Sequence, residues 1–374
     1  MQDRRRHVVH LVYRFAAGGL ENVIVQLVNG LPRESFRHTI IALTSADPAF
    51  AGRLEPDDVE VIALAKPPGQ PFQLYPRMFS VFRRLRPDVL HSCNIAALEF
   101  QPVGWAAGIP LRVHAEHGWD VADPDGTNKR FRLIRKAVRP FVDRFVAVSP
   151  QLHDYLIRMI GIDGNRVMLL PNGVDLERFR ARRDDDAVPE GFPFRAGADI
   201  VIGTVGRMEP IKNQTLLVKA FVKLAKSGSP IAQRLRLALV GDGPLKGSLR
   251  DQLALAGLAD RIWLPGSRSD IESILRCLSC FVLPSHAEGT SCTLLEALAS
   301  EVPVVATNVG GNGDVLAHGR LGILTPSDDV DALAAAIERT VSSPGLVGAG
   351  RQAMEKHYDL AGIMKQYEAL FGSH

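Results

Sequence analysis

Short apolar segments, each about the length of one strand, alternate with amphipathic helical stretches along all 374 residues. This alternation limits the chain to α/β architectures. Candidate strands are HVVHLVY at 7–13, HTIIAL at 38–43, VEVIAL at 59–64, DVLHS at 88–92, RVHAE at 112–116, RFVAVS at 144–149 and RVMLLP at 166–171. A second set is DIVIGTVG at 199–206, LRLALVG at 235–241, RIWLPG at 261–266, CFVLPS at 280–285, VPVVAT at 302–307 and LGILTP at 321–326. Apolar strands separated by helices build parallel sheets covered on both faces. Two sets predict two doubly wound α/β domains, whose ligands bind beyond the carboxyl ends of the strands. Between the sets, residues 172–198 are charged, rich in Gly and Pro, and without period, which reads as a linker.

Composition agrees and narrows the classes. Hydrophobic residues make up 46%, enough for two cores, and a net charge of +3 gives no sign of nucleic-acid binding. Cys93, Cys277, Cys280 and Cys292 are too few for a disulfide framework. The CxxC of Cys277 and Cys280 lacks a second Cys/His pair and reads as two small buried residues. No apolar run reaches the ~18 residues of a membrane span. The basic start MQDRRRHVVHLVY reads as a first strand rather than a signal peptide, so the expected compartment is the cytoplasm.

Four motifs sit after candidate strands. Gly18 and Gly19 follow the first, where paired glycines let a ligand approach a helix N-terminus that favours an anion; an ordinary strand–helix turn is the alternative. Gly206 and Arg207, then Lys212, follow DIVIGTVG, and two cations at a strand end can clamp a diphosphate. Gly241 to Gly247 imitates a dinucleotide fingerprint, but its third glycine comes one residue late and Asp260 precedes its strand. NAD binding is rejected there in favour of a phosphate-side turn or plain structure. Glu288, Gly289, Thr290 and Ser291 form a loop after CFVLPS, and Glu296 lies two turns into the following helix. Carboxylates suit the hydroxyls of a sugar and a ribose, and the intervening helix N-terminus suits phosphate.

The string SHAEGTSCTLLEALASEVPVVATNVGGNGDVL resembles the donor-binding segment of retaining glycosyltransferases of family four, which have the GT-B fold. GGLENV, EHG at 116–118, VAVSP at 146–150, LLPNGVD at 169–175 and GRMEPIKNQ at 206–214 match that family in the same order. The narrower likeness is to sugar transferases of bacterial exopolysaccharide and PEP-CTERM-associated clusters. The resemblance implies two Rossmann-like domains facing across a cleft: an acceptor-side domain over 1–175, joined by the C-terminal helix 358–374, and a nucleotide-sugar donor domain over 176–357. It implies that Glu288 faces the donor sugar, Glu296 the ribose, and Arg207 with Lys212 the diphosphate. Gly19 would approach the donor phosphates and His117 the reacting sugar. Retention, no required metal and no cofactor are further implications, with a glycan or lipid-linked acceptor. Gly313-Asp314 stands where the family often carries Pro-Glu, and Cys292 where it often carries Asn. A nucleotide-sugar epimerase or hydrolase of the same fold and a non-catalytic nucleotide-sugar-binding protein are the rival readings.

Two features remain. Asp123-Pro124-Asp125 is a DxD string in a polar loop and reads as a turn. In the stretch 129–139, Arg132, Arg135, Lys136 and Arg139 share one helical face, with Phe131, Ile134 and Val138 opposite. The face is either solvated or a peripheral contact with an anionic membrane, which would suit a lipid-phosphate acceptor.

Overall fold

Each apolar segment becomes a strand, and every strand pairs parallel to its neighbours in a computed structural model of the chain. The structure describes residues 4–373 apart from 68, 70–71, 121–122, 124–125, 196 and 344–347. The chain divides into two units, Met1–Asn172 with Ala361–His374, and Gly173–Leu360.

The first unit carries β1 (Arg6–Val12), β2 (Phe36–Ala42), β3 (Glu60–Ala63), β4 (Val89–Cys93), β5 (Leu111–Glu116), β6 (Arg144–Ala147) and β7 (Val167–Leu169), in the order β3-β2-β1-β4-β5-β6-β7. The second carries β8 (Ile200–Val205), β9 (Leu235–Val240), β10 (Ile262–Gly266), β11 (Cys280–Leu283), β12 (Val304–Thr307) and β13 (Ile323–Thr325), in the order β10-β9-β8-β11-β12-β13. Strand order therefore reverses between β1 and β4 in one unit, and between β8 and β11 in the other. At such a switch point neighbouring connections leave on opposite faces and open a crevice for a ligand.

Alternate side chains serve two cores. Cys280 and Val282 of β11 pack with Phe221 and Leu217 on one face, while Phe281 and Leu283 pack with Leu294 and Leu298 on the other. This is the period of two expected of a strand with both sides covered. Each such large side chain, fully buried, is worth about 1.5–3 kcal/mol in transfer free energy.

The stretch 172–198 differs from expectation. It packs on the second unit: Val174, Phe179 and Phe194 are buried in the same core as Trp263 and Leu275. Val174 N–H donates to Tyr358 O at 2.8 Å and Leu360 N–H to Val174 O at 3.1 Å, so the stretch is pinned to the segment that leaves the unit. Three isolated aromatic or aliphatic anchors among charges are enough to order a segment that shows no period.

The final helix, Leu360–Gly372, lays Ile363, Met364, Tyr367, Leu370 and Phe371 inward. From Ala361 onward it belongs to the first unit, where Arg6 donates to Phe371 O at 2.7 Å.

Candidate active site

At the switch point of the second unit, the loops after β8 and β11 meet. Gly206 and Arg207 leave β8, and Lys212 closes a short 3-10 turn, Pro210–Lys212. Asn213 follows with φ 49°, a left-handed conformation that Asn tolerates, and starts the helix Gln214–Ala225. Gln214 Nε2 donates to Arg207 O at 2.8 Å and His286 N–H to Ile211 O at 2.8 Å, so the two loops are tied together.

Within this frame Lys212 Nζ meets Glu288 Oε1 at 2.7 Å, and Ser285 Oγ donates to the same oxygen at 2.6 Å. Glu288 is buried, with 7% of its side chain exposed, while the Lys212 side chain keeps 26% of its surface. Ser285 was not visible as a site residue, because a serine at the end of an apolar strand gives no pattern. Arg207 lies at the same strand end, with 39% of its side chain exposed, and reaches Glu209 at 3.2 Å. Thr290 and Ser291 are buried. Ser291 begins the helix Cys292–Ala299 without making a side-chain cap bond. Glu296 lies in the second turn of that helix, closer to its start than expected. Burial, with Glu296 beside it, pushes the Cys292 thiol up to about 12.

Glycines buttress these loops. A side chain on Gly310 (φ +51°) would place its Cβ 1.8 Å from Glu288 O, so the loop after β12 lies against the backbone of the glutamate. Gly311 N–H donates to Gly289 O at 3.2 Å. The Gly241–Gly247 turn is explained in the same way: a Cβ on Gly243 would fall 2.5 Å from Met208 O. Its glycines admit the neighbouring backbone, which is a structural reason for the motif.

In the first unit, Gly18 precedes the helix Gly19–Gly30 beyond β1. The Glu21 carboxylate lies over Gly18, where a Cβ would meet Oε2 at 2.1 Å, whereas nothing lies within 4 Å of the Cβ direction of Gly19. Glu116 ends β5 and His117 follows it. His117 N–H donates to Asn94 Oδ1 at 2.7 Å. Burial pulls the His117 imidazole down to about 4.

The basic helix departs from its expected geometry. It runs Lys129–Val138, capped by the Asn128 side chain. Arg135 points into the protein and makes a two-pronged contact with Glu116, at 2.6 and 3.1 Å. Burial alone would push the Glu116 carboxyl up, but Arg135 and His114 outweigh it and hold it well below the carboxylate range. Arg132 donates to Gly126 O at 2.9 Å, and Arg139 to Ile160 O and Gly161 O at 2.7 Å. Three of the four basic residues are thus engaged internally, while Leu133 is 68% exposed. Lys129, Arg130 and Lys136 remain outward. Of the DxD string, Pro124 and Asp125 lie outside the described residues; Asp123 is buried and accepts from Asn128 N–H at 2.8 Å. Cys280 is buried within β11 and Cys277 is half-buried, both as free thiols. Among the described residues, no helix is long and apolar enough to cross a membrane.

Comparison with known proteins adds an independent line. Residues 17–178 match the model of Glycosyltransferase Family 4, and residues 199–343 that of Glycosyl transferases group 1. The chain is 24% identical over 375 residues to a UDP-Gal:alpha-D-GlcNAc-diphosphoundecaprenol alpha-1,3-galactosyltransferase of Escherichia coli, covering 97% of this chain and 95% of that one. It is 30% identical over 284 residues to a D-inositol 3-phosphate glycosyltransferase of Actinosynnema mirum, covering 69% and 65% of the two chains. Among solved structures, Anabaena HepE in complex with UDP and glucose superposes with a TM-score of 0.78 at 20% identity, covering 99% of this chain and all of that one.

Proposed function

We propose that this chain, a glycosyltransferase of the GT-B type, moves a hexose-type sugar from a nucleoside-diphosphate donor to a hydroxyl acceptor with retention of configuration. The observation that carries the reading is the Lys212–Glu288 pair at the β8/β11 switch point, flanked by Arg207 and by the helix that bears Glu296. A cation held at a strand end beside a helix N-terminus suits a departing diphosphate. In this reading Lys212 and Arg207 stabilise the leaving group, Glu288 faces the donor sugar and orients Lys212, and Glu296 accepts from the ribose. Gly206, Gly289, Thr290 and Ser291 line the donor. Gly18 and Gly19 approach its phosphates, and His117, kept neutral by burial, hydrogen-bonds the reacting sugar. The transition state has oxocarbenium character, so the protein's main task is to stabilise developing charge.

Support for the donor class comes from HepE, whose structure holds UDP and glucose. Support for a lipid-linked acceptor, as in exopolysaccharide or glycolipid synthesis, comes from the E. coli relative, named for transfer to a diphosphoundecaprenol-linked sugar. Such an acceptor suits a cytoplasmic enzyme with peripheral membrane contact, made through Lys129, Arg130 and Lys136 around exposed Leu133.

The test is calorimetry with UDP and a panel of nucleotide sugars, followed by product analysis with and without acceptor. Glu296→Ala is expected to weaken nucleotide binding by about 1–3 kcal/mol. Unchanged affinity would remove Glu296 from the ribose, and donor consumption without any transfer product would favour the hydrolase reading.

A further inference from the structure

Among the described residues, one group of three His, Cys, Asp or Glu side chains holds its donor atoms within 4.8 Å of one another: His91, Cys93 and His117. The fold builds this group directly. His91 and Cys93 are two apart on β4, so they share a face of the sheet. Cys93 is paired in register with Ala115 of β5, and His117 lies two residues further along that chain. Asn94, which follows Cys93 with φ 60°, accepts the His117 backbone N–H at 2.7 Å and fixes it over the end of β4. The three donors are therefore held by a sheet register and a backbone clamp.

We propose that His91, Cys93 and His117 form a site for a thiophilic divalent cation of the Zn²⁺ class, a use of His117 that competes with its contact to the donor sugar. Two imidazoles and a thiolate are the borderline-soft donors that Zn²⁺ and Co²⁺ take, with an open fourth position for water. The separation of His91 Nε2 from Cys93 Sγ is 3.8 Å. That is already close to the ~3.3–3.8 Å edge of a tetrahedral site with metal–ligand bonds of ordinary length. Both ring nitrogens of His117 are shielded from solvent, and Asn172 is the polar partner that the ring would exchange for the metal.

The surroundings supply an outer shell. His91 Nδ1 is 3.0 Å from His10 Nδ1, and His10 Nε2 is 3.1 Å from His38 Nδ1. Run outward, with His91 Nδ1–H donating to His10 and His10 Nε2–H to His38, the chain leaves a bare lone pair on His91 Nε2, which lies 3.8 Å from Cys93 Sγ, against 4.0 Å for Nδ1. A ligating imidazole that donates from its other nitrogen is the usual arrangement around metals. On binding, the metal takes the place of the thiol proton, which passes to solvent or buffer, and no redox step is involved.

The experiment adds Co²⁺ to the metal-free full-length protein and records absorption, then competes with Zn²⁺. One Co²⁺ per chain is expected, with a thiolate-to-cobalt charge-transfer band that Zn²⁺ abolishes. Cys93→Ala should remove the band and weaken Zn²⁺ binding on the order of 100-fold. His117→Ala, which leaves β4 untouched, should weaken binding while keeping the circular dichroism of the wild type. The absence of a charge-transfer band in the wild type overturns the site, and so does a band that survives Cys93→Ala, which would belong to another cysteine. Neither result depends on turnover, so failure here leaves the transferase reading untouched.

Discussion

Two ion pairs of almost equal length stand at strand ends in the two units, and their environments set them apart. Glu116, the last residue of β5, holds Arg135 at 2.6 Å with 1% and 4% of the two side chains exposed. Glu288, beyond β11, holds Lys212 at 2.7 Å with 7% and 26% exposed. In the first pair a planar guanidinium engages both carboxylate oxygens and solvent is excluded from both partners. In the second, a flexible ammonium touches one oxygen, shares it with Ser285, and keeps a quarter of its surface open. The first pair locks a helix to a sheet. The second has a cation with room to bind something else. The same chemistry, a carboxylate–cation pair at the carboxyl end of a parallel strand, thus shuts out solvent in one unit and leaves its cation accessible in the other.

The largest effect should come from breaking the buried pair. Arg135→Leu leaves the Glu116 carboxylate buried without its main counter-charge, at an expected cost of about 3–5 kcal/mol. Lys136→Gln, one residue along and exposed, should change stability by less than about 0.5 kcal/mol. Denaturant unfolding of the two variants measures the contrast. Equal, small effects would mean that Arg135 belongs to an outward basic face after all.

Breaking the open pair should instead cost rate. Lys212→Ala is expected to lower kcat/KM by about 100-fold or more, if the ammonium stabilises the leaving diphosphate. Glu288→Ala should chiefly lower kcat. A Lys212→Ala protein with wild-type fold and near wild-type kcat/KM would show that the open pair, like the buried one, is structural.

How far these pairs were visible beforehand follows from their geometry. The strands were legible because buried parallel strands are continuous apolar runs, and Arg207, Lys212 and Glu288 were legible because each follows such a run. Arg135 was not. Helical periodicity groups it with Arg132 and Arg139, and its partner Glu116 lies 19 residues away on another element. Phe179 and Phe194 were hidden likewise, as single anchors in a charged stretch. The contact of His10 with His91 appears only once register is known, since the two strands pair directly at these positions.

The histidines extend the contrast to pH. Burial keeps several imidazoles of the first unit neutral. Burial, aided by His7, pulls His38 down to about 4; Asp58 opposes this and Arg5 adds to it. His10 lies against its ring, hydrogen-bonded to Nδ1. Between pH 6.5 and about 4 the unfolded chain binds a proton at this position that the folded chain does not. Stability is therefore complete above pH 6.5 and falls on acidification, by ~1.4 kcal/mol per pH unit for this residue. His38→Asn, which keeps a polar side chain without titrating, should flatten the pH dependence of unfolding by that slope. An unchanged slope would place the proton uptake elsewhere.

The smallest effect separates two neighbouring glycines, and it tests whether the first unit has an open site as well as a closed core. At Gly18 a methyl group would meet the Glu21 carboxylate at 2.1 Å, so Gly18→Ala must displace the end of a flexible side chain. The expected loss is modest, on the order of 1 kcal/mol of stability. At Gly19 nothing lies within 4 Å of the added carbon. As the first residue of a helix it accepts Ala readily, and Gly19→Ala should leave stability unchanged or raise it by a few tenths of a kcal/mol. If the donor phosphates approach here, that same methyl group occupies their space, and the variant should raise the KM for donor severalfold while melting like the wild type. A Gly19→Ala enzyme with unaltered KM would mean that the space beside Gly19 is plain solvent and that the turn after β1 is an ordinary strand–helix connection.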